Sequence, residues 1–310
     1  MAPGHEGEAA AEEASDPVDS LPDAELADYI ARLRESKAGS AHVIAISGSY
    51  VTKRYTEDQL EDVNLAIAKA KALNIRTPCI KRVVKGSVYV ECIQDRIYGP
   101  TLLDAWTSLG WFTTLRLAFQ VRGMVRRMRT ATSPTAGSLG TGLCRSIWLE
   151  DRYGIPTRAL SSTIASVVNF WWNLVSFRRE AGKSPEEHRQ SCEGPTRPEE
   201  GGLVFTHHDL APRNMILEDS TKNLWLVDWD EAGWYPRYFE HAGMRNFIIP
   251  EHWGRFDRLR WDLFAWIATG WYRRESRMLA EVQRKATRFP AARRFNIMAG
   301  ATPSIWPVDD

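Results

Sequence analysis

The stretch from Leu203 to Asp230 constrains this chain most. It holds three short apolar runs, Leu203-Val204-Phe205, Met215-Ile216-Leu217 and Leu224-Trp225-Leu226-Val227, separated by polar segments. Runs of that length bounded by turn residues read as strands. The first two enclose the loop Thr206-His207-His208-Asp209-Leu210-Ala211-Pro212-Arg213-Asn214, and the third runs into Asp228-Trp229-Asp230. An Asp on a short loop between strands, an Asn five residues later and a second Asp after the next apolar strand together suit phosphoryl transfer. That reaction needs little covalent help, so the protein must position an acceptor hydroxyl and hold the metal that offsets phosphate charge. In this reading Asp209 takes the hydroxyl proton, while Asn214 and Asp228 offer hard oxygen ligands to Mg²⁺.

The rest of the chain divides by pattern. His42–Ile46 and Tyr50–Tyr55 read as two strands around the turn Ser47-Gly48-Ser49, Asp58–Leu73 as a helix, and Cys79–Val84 with Ser87–Ile93 as a second hairpin through Lys85-Gly86. Residues 41–95 therefore form a small β-rich N-lobe. Residues 96–310 form a larger, mainly helical C-lobe, with helices over Leu102–Leu109, Thr113–Met128, the uncharged stretch Ala159–Phe177 and residues 261–289. The fold class is α+β with two lobes.

Residues 1–40 carry ten acidic and three basic side chains, a net of −7, which leaves +8 on residues 41–310 and +1 on the whole chain. This leader reads as largely disordered, with a short amphipathic helix near 23–36 where Leu26, Tyr29, Ile30 and Leu33 share a face. A total so near zero is no footprint of a nucleic-acid binder. The positive body suits a nucleotide with several negative charges better than a polycation.

Cys79, Cys92, Cys144 and Cys192 lie far apart with no C-x-x-C pair, which suits free thiols. No basic and apolar signal-peptide pattern follows Met1, and the uncharged stretch holds seven Ser, Thr and Asn residues that would each need a partner in lipid. The expectation is a soluble cytoplasmic protein with no membrane partner.

The motifs Phe205-Thr206-His207-His208-Asp209-Leu210 and Val227-Asp228-Trp229-Asp230-Glu231-Ala232-Gly233-Trp234-Tyr235-Pro236 resemble the aminoglycoside phosphotransferase and choline kinase branch of the protein-kinase-like fold, in its fungal phosphotransferase-domain form. The resemblance implies ATP and Mg²⁺ as cofactors and the hydroxyl of a small molecule as acceptor. It makes Asp209 the catalytic base, His207 the loop histidine that supports it, and Asn214 and Asp228 the metal ligands. It also implies that Gly48 sits in the phosphate-covering turn, that Lys53 meets the α- and β-phosphates, and that Glu61 is that lysine's partner. Gln94, Asp95 and Arg96 fall where the family's hinge meets adenine.

Other features read more plainly. Gly182-Lys183-Ser184 imitates a P-loop end, but Phe177 stands where its first glycine would be. Trp171, Trp172, Trp225, Trp261 and Trp266 read as core, Trp234 and Tyr235 as pocket-facing, His208 as incidental, and Arg122, Arg126, Arg127 and Arg129 as a solvated helix face. The alternatives are a pseudokinase-like binding or scaffold module and, more distantly, a D-x-D phosphatase or a metal hydrolase. A protein acceptor is disfavoured because Asp228 leads within a few residues to Trp234-Tyr235-Pro236, leaving no activation loop.

Overall fold

The hairpin expected around Ser47-Gly48-Ser49 forms from β1 (Val43–Ala45) and β2 (Tyr50–Tyr55), paired antiparallel with Ile44 opposite Thr52. The second hairpin forms from β3 (Ile80–Lys85) and β4 (Val90–Asp95), with one register shift between Ile80 and Arg82. The sheet order is β1-β2-β4-β3, all antiparallel, and Lys53 stands opposite Cys92. These contacts come from a computed structural model that describes residues 16–36, 42–86, 89–149, 155–176, 179, 182–191, 193–196 and 202–288. The leader residues 1–15 and Cys192 lie outside the described residues.

The chain falls into two compact units. The first takes residues up to Glu57 together with Cys79–Arg96, and the second takes Asp58–Pro78 with the residues from Ile97 onward.

In the first unit residues 16–36 of the leader pack against the sheet. Helices α1 (Pro17–Ser20) and α2 (Asp23–Ser36) bury Val18, Leu26 and Ile30 in one core with Ile44, Ile46, Val84 and Ile93. The reason is the apolar stripe itself: burying a side chain the size of Leu or Ile contributes about 1.5–3 kcal/mol. Arg34 then places two bonds on the Glu91 carboxylate, 2.9 and 2.8 Å, which also accepts from Thr52 Oγ1 at 2.9 Å and Arg54 Nε at 2.7 Å. Burial would raise the Glu91 carboxyl, but the hydrogen bonds from Arg34, Arg54 and Thr52 outweigh it and hold the group below its usual range.

The second unit is the larger and mainly helical one. Helix α3 (Glu57–Ala72), which the sequence pattern groups with the hairpins, belongs here from Asp58 onward. Asp62 is the reason. Its carboxylate is buried and accepts from the N–H of Gly140 at 2.9 Å, the N–H and hydroxyl of Thr141 at 2.8 Å each, and Arg145 Nε at 3.2 Å. Further along come α4 (Leu102–Ala105), a 3₁₀ turn over Trp106–Ser108, α5 (Trp111–Met128), α6 (Ser161–Asn173), α7 (Pro185–Ser191), α8 (Tyr238–Gly243), α9 (Arg255–Thr269) and α10 (Arg273–Arg288). The single helical stretch expected over 261–289 is broken at Gly270, whose φ of 103° ends α9.

Two small sheets thread between these helices. The strands β5 (Thr132–Ser133), β6 (Leu203–Thr206) and β9 (Gly233–Tyr235) form one in the order β5-β6-β9, and β7 (Met215–Leu217) pairs with β8 (Leu224–Leu226). All four residues of β6 are buried. Trp171 and Trp261 are core residues as expected, whereas Trp172 and Trp266 are 39% and 46% exposed. The arginine run along α5 and at its C-cap is partly a solvated face, with Arg122 and Arg126 exposed, while Arg122, Arg127 and Arg129 also donate to the main-chain carbonyls of Ile267, Leu73 and Arg237. Only Arg126 of that run stands exposed without such a bond among the described residues. No helix of the described residues is long and apolar enough to cross a membrane. Cys79, Cys92 and Cys144 are free thiols.

Candidate active site

Buried strand β6 delivers His207, His208 and Asp209 into a loop that turns back at Pro212–Asn214 to begin β7. Both histidines are fully buried. The ring of His207 meets the Val227 carbonyl through Nε2 at 3.0 Å, and its main-chain N–H donates to Glu240 Oε2 at 2.9 Å. Its ring lies 4.5 Å from that of Trp229, which in turn stacks on Phe205. Burial lowers the His207 pKa, so the ring is held neutral despite Asp209 and Asp228 nearby.

The hydrogen bonds around Asp209 set its orientation. Asn214 Nδ2 donates to Asp209 Oδ2 at 2.8 Å and to the Asp209 carbonyl at 2.9 Å, and Arg213 adds a guanidinium bond to the same Oδ2 at 2.5 Å. The other carboxylate oxygen, Oδ1, is buried with no partner among the described residues. A buried acceptor left open is costly unless a ligand completes it. The second strand end is tied to the same loop: Val227 N–H donates to the Asn214 carbonyl at 3.0 Å, and Asp228 follows with φ at 69°. A left-handed conformation at a non-glycine residue persists only where its surroundings fix it.

Asn214 thus bonds Asp209 directly, while His207 and Asn214 both bond Val227, the residue before Asp228. Sequence reasoning missed Arg213, Glu240 and Glu231. Arg213 could have been found, since it stands four residues after Asp209, and its second nitrogen spans to the Asn246 carbonyl at 2.8 Å. Glu240 carries no local signal. Burial pushes its carboxyl up to about 7. Glu231 is likewise raised to about 7, by burial first and then by the negative charges of Asp230, Asp209 and Asp228. His208 is not incidental: Nε2 lies 2.8 Å from Ser146 Oγ, the ring packs against Tyr235 and Phe239, and burial with His207 alongside lowers its pKa to about 3. Tyr235, expected to face a pocket, is fully buried and donates to the Arg145 carbonyl at 2.9 Å. Trp234 is partly exposed, with Lys69 over its ring at 5.7 Å.

Among the described residues no three His, Cys, Asp or Glu side chains form a ready metal cage. Magnesium does not require one, since it binds through one or two protein oxygens plus phosphate oxygens and waters. The open Asp209 Oδ1, and the negative charges of Asp230, Asp209 and Asp228 that add to burial in raising Glu231, fit a divalent cation held by Asp228 and the amide oxygen of Asn214.

The other expected residues divide between the units. Gly48, Lys53, Gln94, Asp95 and Arg96 are in the first unit. Lys53 lies on β2 with its ammonium 5.4 Å from the Tyr55 ring. Gly48 sits in a turn pinned by Ser47, whose hydroxyl donates to Asp16 Oδ2 at 2.6 Å and accepts from the N–H of Ser49 and Tyr50. Gln94 Nε2 donates to Cys92 Sγ at 3.6 Å. Asp95 accepts from the Cys79 N–H and faces Lys81 at 3.6 Å. The main-chain N–H of Asp95 and of Arg96 are taken by the carbonyls of Cys79 and Ser49. Glu61 is in the second unit, exposed on α3, while its acidic neighbours are engaged: Glu57 by Lys85, Asp58 by Arg145 and Asp62 by the Gly140–Arg145 loop.

No curated protein matches the sequence. Among solved structures, the aminoglycoside phosphotransferase APH(3'')-Id from Streptomyces rimosus, in complex with ADP and streptomycin, is 16% identical over 84% of this chain and 98% of its own, with a TM-score of 0.46. A thermostable mutant of aminoglycoside phosphotransferase APH(4)-Ia in its apo form is 15% identical over 88% of this chain and 95% of its own, with a TM-score of 0.49. Residues 156–279 match the model of the phosphotransferase enzyme family. The segment from His207 to Glu240, which holds Asp209, Asn214 and Asp228, falls wholly within that match.

Proposed function

We propose that the protein transfers the γ-phosphoryl group of ATP, with Mg²⁺, to a hydroxyl of a small molecule. The observation that carries the reading is the Asp209 carboxylate: Asn214 and Arg213 hold one oxygen and leave the other buried and open. An acceptor hydroxyl donating to Oδ1 would be aligned by that lock, and Oδ1 would receive its proton as the oxygen attacks phosphorus. His207 supports the loop through Val227 and Glu240 and takes no part in proton transfer, being buried and neutral. Asp228 and Asn214 would hold Mg²⁺, which when bound offsets phosphate charge. On the nucleotide side, Lys53 would meet the α- and β-phosphates under the Gly48 turn, with Glu61 as the acid that goes with that lysine. Gln94, Asp95 and Arg96 would border adenine through carbonyls and side chains, since two of their amides are spent.

The test is thermal denaturation with and without millimolar Mg-ATP, together with ADP release to water. The wild-type chain should melt higher with Mg-ATP, and Asp228→Ala should lose that shift. Asp209→Asn should keep the shift and lose about 100-fold or more of the ADP release, the usual scale for a general base. A wild-type melting temperature indifferent to millimolar Mg-ATP overturns the reading.

A further inference from the structure

A cavity of about 620 Å³ opens in the second unit, between the end of α6, the loop at Pro195 and the first turns of α10. That volume is within the range of small-molecule sites. No residue assigned above to phosphoryl transfer lines it.

The lining is of two kinds. Trp172, Trp271, Pro195 and Met278 give it apolar walls. Both indoles are held by neighbours while leaving much of their surface open: Lys285 bonds the Trp172 carbonyl at 2.6 Å and lies over its ring, and Trp271 meets Trp266 edge-on at 5.9 Å. They are 39% and 66% exposed. The remaining lining comes from three arginines, Arg273, Arg274 and Arg277, all exposed and within little more than one turn of α10.

These arginines differ from the others on their helix. Arg284 is bound twice by Glu281, at 2.9 and 2.7 Å, and Lys285 also faces that carboxylate. Arg273, Arg274 and Arg277 make no ion pair or hydrogen bond with any described residue, and Glu275, the acid in the same turn, does not line the cavity. Three like charges within five residues of one helix, beside a concave, tryptophan-walled surface, favour an anion joining them. A guanidinium fork matches a carboxylate, sulfate or phosphate through paired hydrogen bonds, and an indole face matches a flat apolar body.

We propose that this cavity binds a small amphipathic anion, its acidic group on the arginines and its planar apolar part against Trp172 and Trp271. The site repels cations, and the proposal does not depend on the phosphotransferase reading.

The test uses three probes of one shape with the full chain at low salt: 2-naphthoate, the neutral 2-naphthamide and the cation 2-naphthylmethylamine, titrated by calorimetry. Naphthoate should bind at one saturable site, about tenfold or more tighter than the amide, and the amine should not bind measurably. The double variant Arg274→Gln/Arg277→Gln should lose that preference and keep the wild-type melting temperature. Trp271→Ala should weaken the naphthoate and the amide alike. Equal affinity for all three probes, no naphthoate binding at millimolar concentration, or an unchanged preference in a folded double variant would overturn the proposal. None of these outcomes involves nucleotide, so they are separable from a missing Mg-ATP shift.

Discussion

Asp209, Asn214 and Asp228 stand out in the sequence because they fall within twenty residues, with the strands that present them on either side. The residues that hold them do not. Glu240 reaches the His207 N–H from 33 positions away, and Ser146 reaches His208 from 62, so no local spacing betrays either. Glu240 also makes a pH prediction. Burial raises its carboxyl from 4.5 to about 7, so the folded state holds a proton there that the unfolded chain has already released. Its contribution to stability is complete below about pH 4.5 and is lost as pH rises through about 7. Glu240→Gln, which keeps an oxygen for the His207 N–H and cannot ionise, should therefore show a flatter stability profile between those limits. Above pH 7 the gap between the two proteins should settle at up to about 3 kcal/mol, the linkage equivalent of such a shift. Parallel denaturation curves across pH 4–8 would refute this account.

At the scale of elements, the hairpins were legible from alternation and turn residues, and helix α2 from its apolar period. What each element packs against was set by single long-range contacts. Helix α3 belongs with the second unit because Asp62 finds Gly140, 78 residues later, while its sequence neighbours are strands of the first unit. The two exposed tryptophans likewise lie in apolar runs indistinguishable from core. Asp62 carries its charge into a buried position where its own burial would raise the pKa. Hydrogen bonds from Thr141, Ser138 and Arg145 outweigh that and hold it low. Asp62→Ala removes the acceptor for two main-chain amides and leaves Arg145, among the described residues, with the exposed Asp58 as its ion-pair partner. The expected cost is about 3–5 kcal/mol, the scale of breaking a buried ion pair, read as a lower urea midpoint. A loss under about 1 kcal/mol would mean that α3 is held by its apolar face alone.

Over the whole molecule, the near-zero net charge looks like an acidic leader cancelling a basic body. The structure joins the two instead. Arg82 donates to Asp23 at 2.8 Å and to the carbonyls of Val18 and Leu21, so leader charge is met by the sheet it lies on. Composition alone could not show this, because acidity and disorder share a signature while docking depends on Leu26, Ile30 and Arg34 finding partners. A chain lacking residues 1–36 should therefore lose more than charge. Without Leu26 and Ile30 the sheet gives up about 3–6 kcal/mol of burial, and Glu91 keeps only Arg54 and Thr52. The β2 and β4 amides of the shortened chain should exchange with solvent faster than in the full chain. Unchanged protection would show that the leader helix is dispensable.

That same docking has a consequence during synthesis. Fifty-seven positions separate Arg34 from Glu91. At a translation rate of about 5–20 residues per second, β4 emerges roughly 3–11 s after α2. In that interval Leu26 and Ile30 have only the β1-β2 hairpin and its Ile44 and Ile46 to cover them, and an isolated helix of 14 residues is marginal in water. Helix α2 must therefore wait, only partly covered, for the strand that completes its seat.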